Sequence, residues 1–157
     1  MINIAKSSKP DRDFSYKERA IRDIVKGDFY SICYLCEEVT PRHYEIDHFY
    51  PQKYYEHLID EWDNLFFICQ KCNKIRPKNI NTCSDDEVLN NCEDDVENLL
   101  TIYYDSHDES VFILPNTIDP KVLYRVENTI RLLNRIYNGI DTTSLSYIDL
   151  RNEIEET

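Results

Sequence analysis

Cys33-Tyr34-Leu35-Cys36 and, after 32 intervening residues, Cys69-Gln70-Lys71-Cys72-Asn73 are the two stretches whose reading decides the fold. Each pair separates two thiols by two residues, so a tight knuckle can turn both onto one ion. Two knuckles together supply four sulfur ligands for tetrahedral zinc. Four thiolates leave no coordination position for water, so such a zinc is structural and adds on the order of 10 kcal/mol to a small fold. A redox reading of either pair would need the strand-to-helix setting of a thioredoxin-like site, which the flanking sequence lacks. Cys83 and Cys92 fall outside both pairs and read as small buried hydrophobes, with a further metal contact left open by spacing alone.

Between the knuckles runs Glu45-Ile46-Asp47-His48-Phe49-Tyr50-Pro51, followed by Trp62-Asp63-Asn64-Leu65, and Asn73 comes directly after the last cysteine. Phosphodiester hydrolysis needs a base for water, a cation to offset charge developing on the phosphate, and a group that aims the base. A neutral imidazole such as that of His48 can accept the proton, an effect worth about 10²–10⁴ in rate. The Asp47 carboxylate and the Asn73 amide oxygen are the hard donors that Mg²⁺ prefers, and they leave positions for water and phosphate. His57, among helix-spaced residues, and His107, in a turn, are assigned to the surface.

Outward from this centre, residues 15–27 read as a helix with Ser15 and Glu18 as a capping box and Gly27 as its stop. Its far face carries Lys17, Arg19, Arg22 and Lys26, either a solvated face or a set of phosphate contacts. Tyr44 to His48 and Leu65 to Ile68 read as short strands. Tyr54, Tyr55, Leu58, Ile59 and Trp62 recur at helical spacing after Pro51, which predicts a helix with core aromatics. Ser84 and Glu87 repeat the capping-box pattern ahead of an acidic helix or a pair of short ones. Residues 100–104 and 110–114 suit a hairpin. A longer helix follows, with Asp119 as cap, Pro120 at its first position, a stripe of Val122, Val126, Ile130, Leu133 and Ile136, and Gly139 at its end.

The resulting expectation is an α+β chain in three parts. A basic helical arm spans 1–27, a zinc-stapled core spans 28–82, and an acidic segment with C-terminal helices packing on the core spans 83–157. No apolar run reaches the roughly 18 residues that cross a membrane. The opening MINIAKSSKP lacks the features of a secretory signal. The cytoplasm is therefore the expected compartment, where paired cysteines hold metal rather than disulfides.

The net charge of −12 opposes solitary binding of polyphosphate. Its distribution matters more than its sum. Residues 83–119 hold eleven acids and no basic residue, whereas residues 1–26 hold seven basic residues against four acids.

Cys-x-x-Cys, Asp-His-x-x-Pro, Asn-Leu and Cys-x-x-Cys-Asn, in this order over residues 33–76, resemble the ββα-metal core of HNH endonucleases. The resemblance implies that His48 is the general base, that Asp47 and Asn73 hold a catalytic Mg²⁺ or Mn²⁺, and that Asn64 positions the His48 ring or its loop. Asn73 stands where many members carry histidine. A narrower similarity, through His43-Tyr-Glu-Ile-Asp-His-Phe, Glu-Trp-Asp-Asn-Leu and the Asn-Thr-Ile-Arg-Leu-Leu-Asn of 128–134, is to HNH proteins of retron-linked and Septu-type anti-phage systems, which pair with an ATPase. Arg76 stands where such proteins often have lysine. That likeness implies a DNA-cutting effector whose ATPase partner supplies a basic surface for the acidic segment to meet.

Two rival readings use the same residues. His43-x-Glu45 with Cys69-x-x-Cys72 mimics the zinc-dependent nucleobase deaminases, though Ile68 replaces their proline and Cys33 and Cys36 would have no role. A zinc module that only binds a partner or nucleic acid would keep the scaffold and need none of the catalytic set.

Overall fold

The computed structural model describes residues 1–139. Helix α1 (Arg19–Asp28) is followed by strand β1 (Tyr44–His48), strand β2 (Leu65–Cys69) and the short helix α2 (Gln70–Ile75). Then come the single turn α3 (Val96–Leu99), strands β3 (Leu100–Asp105) and β4 (Ser110–Pro115), and the long helix α4 (Pro120–Asn138). Each strand pair is antiparallel and separate: β1 with β2, in register Tyr44↔Cys69 through His48↔Leu65, and β3 with β4.

Strand β2 explains the placement of the rest. Leu65, Phe66, Phe67 and Ile68 are fully buried, so both faces of this strand must be covered, which a two-stranded ribbon cannot do by itself. Helix α1 packs on β2 through Ile21 and Val25, and α2 lies against both β1 and β2. Residues 1–14 form a strap outside any helix or strand. Ile4 N–H donates to Asn91 O at 2.8 Å, and Trp62 Nε1–H donates to Ser7 O at 2.9 Å. The buried side chains from Met1 to Tyr137 form one hydrophobic cluster.

Several boundaries depart from the sequence reading. Helix α1 begins at Arg19 because residues 15–18 form a turn of their own, in which Ser15 N–H donates to Glu18 Oε2 at 2.7 Å. Gly27 lies within the last turn, and Phe29 caps it. The helix expected after Pro51 is absent. Two isolated 3₁₀ turns, Glu56–Leu58 and Trp62–Asn64, occupy that segment, because it must return antiparallel to β1 and its backbone groups bond to the Asn64 side chain. Of its aromatics, Trp62 is core while Tyr54 is 51% exposed. The second capping box sits one residue early, with Cys83 N–H donating to Asp86 Oδ1 at 2.9 Å, and it opens a 3₁₀ turn rather than an α-helix.

Helix α4 follows its expected caps. Asp119 Oδ1 accepts Lys121 N–H at 3.0 Å, and Gly139 takes the left-handed conformation at φ 67°. Its buried stripe contains Val126, Leu133 and Ile136 as expected, together with Leu132 and Tyr137, while Val122 and Ile130 are only partly covered. Asn128 and Thr129 hold the acidic segment in place. Asn128 Nδ2 donates to Asp85 O and Glu87 O, and Thr129 Oγ1 accepts Leu89 N–H at 2.8 Å. Any further C-terminal helix lies in residues 140–157, outside the described residues. Among the described residues no helix is long and apolar enough to cross a membrane.

Candidate metal centre and active site

The four cysteines converge. The sulfurs of Cys33, Cys36, Cys69 and Cys72 lie within 4.8 Å of one another, and those of Cys36 and Cys69 are 3.8 Å apart. Zinc–sulfur bonds of about 2.3 Å in a tetrahedron place sulfurs about 3.8 Å apart, so the cluster has the size a zinc ion requires. The first knuckle is shaped by the bridge Ile32↔Val39 and by Glu37, whose φ of 63° turns the chain back. The second knuckle runs from the end of β2 directly into α2, a strand-to-helix setting that the sequence reading did not expect. The convergence of four sulfurs, and not the lack of that setting, therefore favours metal over redox chemistry. The Cys69 sulfur accepts Cys72 N–H at 3.3 Å. Hydrogen bonds from Cys33, Cys36 and Cys72 hold the Cys69 thiol far below its ordinary pKa. Cys36 and Cys72 are pushed up, each first through its hydrogen bond with Cys33. A cluster that favours one thiolate at the expense of its neighbours needs a cation before all four can ionise, and that is the chemistry of a Cys₄ zinc site.

Beside β1 and α2 lies a cleft of about 480 Å³. His48, Asp47 and Asn73 all line it, together with Glu45, Tyr16, Lys17, Arg22, Lys53, Arg76 and Lys78. Side chains alternate along a strand, so Glu45 and Asp47 share a face of β1. Asn73 follows Cys72 on α2 and donates its amide nitrogen to Glu45 Oε2, which leaves Oδ1 as the donor atom for a cation. Asp47 is 7% exposed; its Oδ2 accepts the Tyr34 hydroxyl at 2.7 Å and lies 3.2 Å from Arg76 Nε. The Arg76 contact is ionic and lacks hydrogen-bond alignment. Neither contact falls on Oδ1 of Asp47, so hard oxygen donors suited to Mg²⁺ remain on Asp47, Asn73 and Glu45.

Burial pulls the Arg76 guanidinium down in pKa, but Tyr34 and Asp47 outweigh it and the net shift is upward. Burial first, and then Asp47, push the Tyr34 phenol well up. The guanidinium also donates to Phe49 O at 3.2 Å and His48 O at 3.4 Å, so one side chain supports the carboxylate and the backbone of the adjacent histidine.

The His48 ring is held at two points. Its Nε2 lies 2.9 Å from Ile59 O, and Tyr16 meets the ring edge-on at 4.6 Å between centroids. A carbonyl oxygen only accepts, so Nε2 carries the hydrogen and the lone pair of the neutral ring is on Nδ1. Asn64 does not line the cleft. Its Oδ1 accepts Tyr50 N–H at 2.7 Å, and its Nδ2 donates to Tyr50 O and Leu58 O, both at 3.1 Å. It thus fixes the loop that carries Ile59 O, rather than the ring itself.

Of the eight residues singled out in the sequence, four meet at the sulfur cluster, three line the cleft and Asn64 stands behind it. Sequence reasoning missed Glu45, Tyr34, Arg76 and Tyr16 as members of the site. His57 and His107 are exposed, as expected. His43 is exposed and outside the sulfur cluster, and four convergent thiols leave zinc no water position, which removes the geometric basis of the deaminase reading.

The antiparallel pair of strands and the short helix, stapled by four cysteines and opening beside His48, lie within residues 33–78, which match the HNH endonuclease family. HNH endonucleases are metal-dependent nucleases. The chain is also 30% identical over 80 residues to the Septu protein PtuB of Bacillus mycoides (strain KBAB4). That match covers 41% of this chain and 27% of the relative, so the chain spans about a quarter of that protein's length. No solved structure matches the chain.

Proposed function

We propose that this chain hydrolyses phosphodiester bonds of DNA, and that it is the cytoplasmic effector subunit of an anti-phage defence complex with an ATPase partner. The observation that carries the reading is the convergence of His48, Asp47 and Asn73 on one cleft, with the lone pair of the His48 ring placed on Nδ1. Nδ1 takes a proton from water, and the resulting imidazolium keeps its Nε2–H on Ile59 O, so the ring does not reorient during the step. A Mg²⁺ or Mn²⁺ ion held by Asp47 and Asn73 Oδ1 would offset the charge developing on the phosphate. Asn64 and Arg76 are positioning residues, one through the loop and the other through the carboxylate. Residues 28–82 are read as the nuclease core, with 1–27 as an arm laid across it.

The Septu likeness supports the defence role and the partner. Residues 83–119, eleven acids without a basic residue, suit contact with a basic partner surface, which would relieve the chain of binding DNA alone. One observation favours a second reading, a zinc module that binds without cutting: Asp47 already has Tyr34 and Arg76 for partners, as a purely structural carboxylate would. Plasmid incubated with Mg²⁺ or Mn²⁺ separates the two. The chain is expected to cleave weakly alone and faster with its ATPase, and His48→Ala is expected to lower the rate by about 10²–10⁴. Equal cleavage by both proteins removes His48 from the mechanism. No cleavage with the partner present leaves the binding module.

A further inference from the structure

Residues 14–22 lie outside the stretch that matches the HNH family, yet they form part of the cleft wall. The arm is anchored there by three contacts. Phe14 packs edge-on against Trp62 at 6.0 Å, Tyr16 N–H donates to Asp60 Oδ1 at 2.8 Å, and the Tyr16 ring meets His48. The cations on either side of this anchor differ in their partners; Lys26, off the cleft, donates to Pro41 O at 2.9 Å. Arg12 and Arg19, which do not line the cleft, face acids of the arm itself, Glu18 at 3.2 Å and Asp23 at 3.9 Å. Lys17 and Arg22, which do line it, meet no carboxylate among the described residues.

Arg22 is nevertheless held in place. Its guanidinium carbon lies 5.3 Å from the centre of the Tyr44 ring, which itself stacks on Phe67 at 4.7 Å. Lys17 Nζ lies 5.9 Å from the Tyr16 ring. A chain with a net charge of −12 has carboxylates to spare, so two cations left without one, and oriented by aromatic faces beside the candidate base, mark where an anionic ligand fits. In the sequence this face reads first as solvated, with phosphate contact as the alternative.

We propose, resting on the nuclease reading, that the N-terminal arm is the strand-holding wall of the site, with Lys17 and Arg22 contacting backbone phosphates that flank the one presented to His48. Such contacts position a nucleic acid without reading its sequence. They also reconcile an acidic chain with a polyanionic substrate, because the positive charge is concentrated where the strand must lie.

The test reads binding to fluorescently labelled duplex and single-stranded DNA, and to RNA of the same sequence, by the zinc-loaded full chain carrying His48→Ala, from about 50 to 200 mM salt. Adding Lys17→Ala with Arg22→Ala removes two phosphate contacts. The slope of log K against log salt is expected to fall by about 1.8 on duplex and about 1.4 on single strands, and the tighter binding at one fixed salt concentration identifies the preferred substrate. Arg19→Ala is expected to leave the slope unchanged, and the charge-keeping pair Lys17→Arg with Arg22→Lys is expected to retain most of it. A slope unaffected by the alanine pair overturns the proposal. So does an equal loss in Arg19→Ala or in the charge-keeping pair, which would mark a folding effect. If the chain with His48 intact cuts nothing even with its partner, while the His48→Ala background shows the slope loss, the nuclease reading is retracted and the wall stays. Normal cutting by the chain with His48 intact, together with a slope that the alanine pair leaves unchanged, retracts the wall alone.

Discussion

The sulfur cluster and the cleft share helix α2, yet one is largely closed and the other open. Cys33 and Cys72 are fully buried, Cys69 is 2% exposed and Cys36 is half-buried, while Glu45 and Lys17 are exposed at the rim of a cleft of about 480 Å³. The two meet at one peptide bond. Cys72 and Asn73 are neighbours on α2, and successive residues of a helix point about 100° apart, so one turns into the sulfurs and the other into the cleft. A six-residue helix is far too short to hold its shape unaided. The closed ion site therefore gives rigidity to an amide that must face solvent.

The largest effect expected from this contrast is the loss of zinc. Binding worth on the order of 10 kcal/mol is comparable to the whole stability of a small domain. Chelation confirmed by metal analysis, or Cys72→Ser, is thus expected to abolish the cooperative thermal transition followed by circular dichroism. One residue further on, Asn73→Ala is expected to shift stability by less than about 0.5 kcal/mol, as for other substitutions away from the packed core. A melt unchanged after verified zinc removal breaks the division between a supporting side and a working side.

A smaller loss is expected at Arg76, which belongs to the cleft but is 9% exposed. Arg76→Met leaves the Asp47 carboxylate buried without its cation and removes a donor from the His48 and Phe49 carbonyls. Breaking a buried pair from one side costs about 3–5 kcal/mol. Urea unfolding should show that loss, accompanied by weaker metal-dependent cleavage. A cost below about 1 kcal/mol would mean that the open side holds its carboxylate by Tyr34 alone.

The sealed side was far more legible in the sequence than the open one, and the reason is chemical. Soft-metal ligation requires thiols at fixed spacing, so Cys33, Cys36, Cys69 and Cys72 announce their own partners. Continuous apolar character located β2, and cap residues located both ends of α4. The cleft depends instead on contacts across the fold. Tyr34 reads as a spacer between two cysteines, and its hydroxyl reaches Asp47 only because knuckle and strand are brought together. Tyr16 follows no recognisable period and meets His48 from 32 residues away. Glu45 was the one recoverable omission, since strand alternation puts it beside Asp47. The segment after Pro51 misled in the opposite direction: its helical spacing is real, but the Asn64 side chain takes up the backbone groups of Tyr50 and Leu58.

The smallest effect compares a buried cation with a half-buried one. Arg76 faces a carboxylate, whereas Lys6, on the strap, donates to Trp62 O and to Leu65 O, the latter at 2.9 Å, and lies 4.3 Å from the Trp62 ring. Carbonyls and a ring do not replace lost hydration in full, and desolvation lowers the Lys6 pKa to about 8. The unfolded lysine keeps its proton to about 10.4, so between these values the unfolded chain binds more protons and stability rises with pH. Below pH 8 the folded chain bears the full cost of a charged Lys6, at most about 3 kcal/mol. Burial raises Cys92, which interacts with Lys6, to about 11 and works in the other direction, costing stability above about pH 9 as the unfolded thiol ionises. Unfolding free energies of wild type and Lys6→Met, both carrying Cys92→Ala, isolate the lysine. Wild type is expected to gain on the variant from pH 8 to 10. A flat or falling difference would mean that the Trp62 ring and two carbonyls support an ammonium as well as Asp47 supports Arg76, and that a half-buried cation here needs no carboxylate.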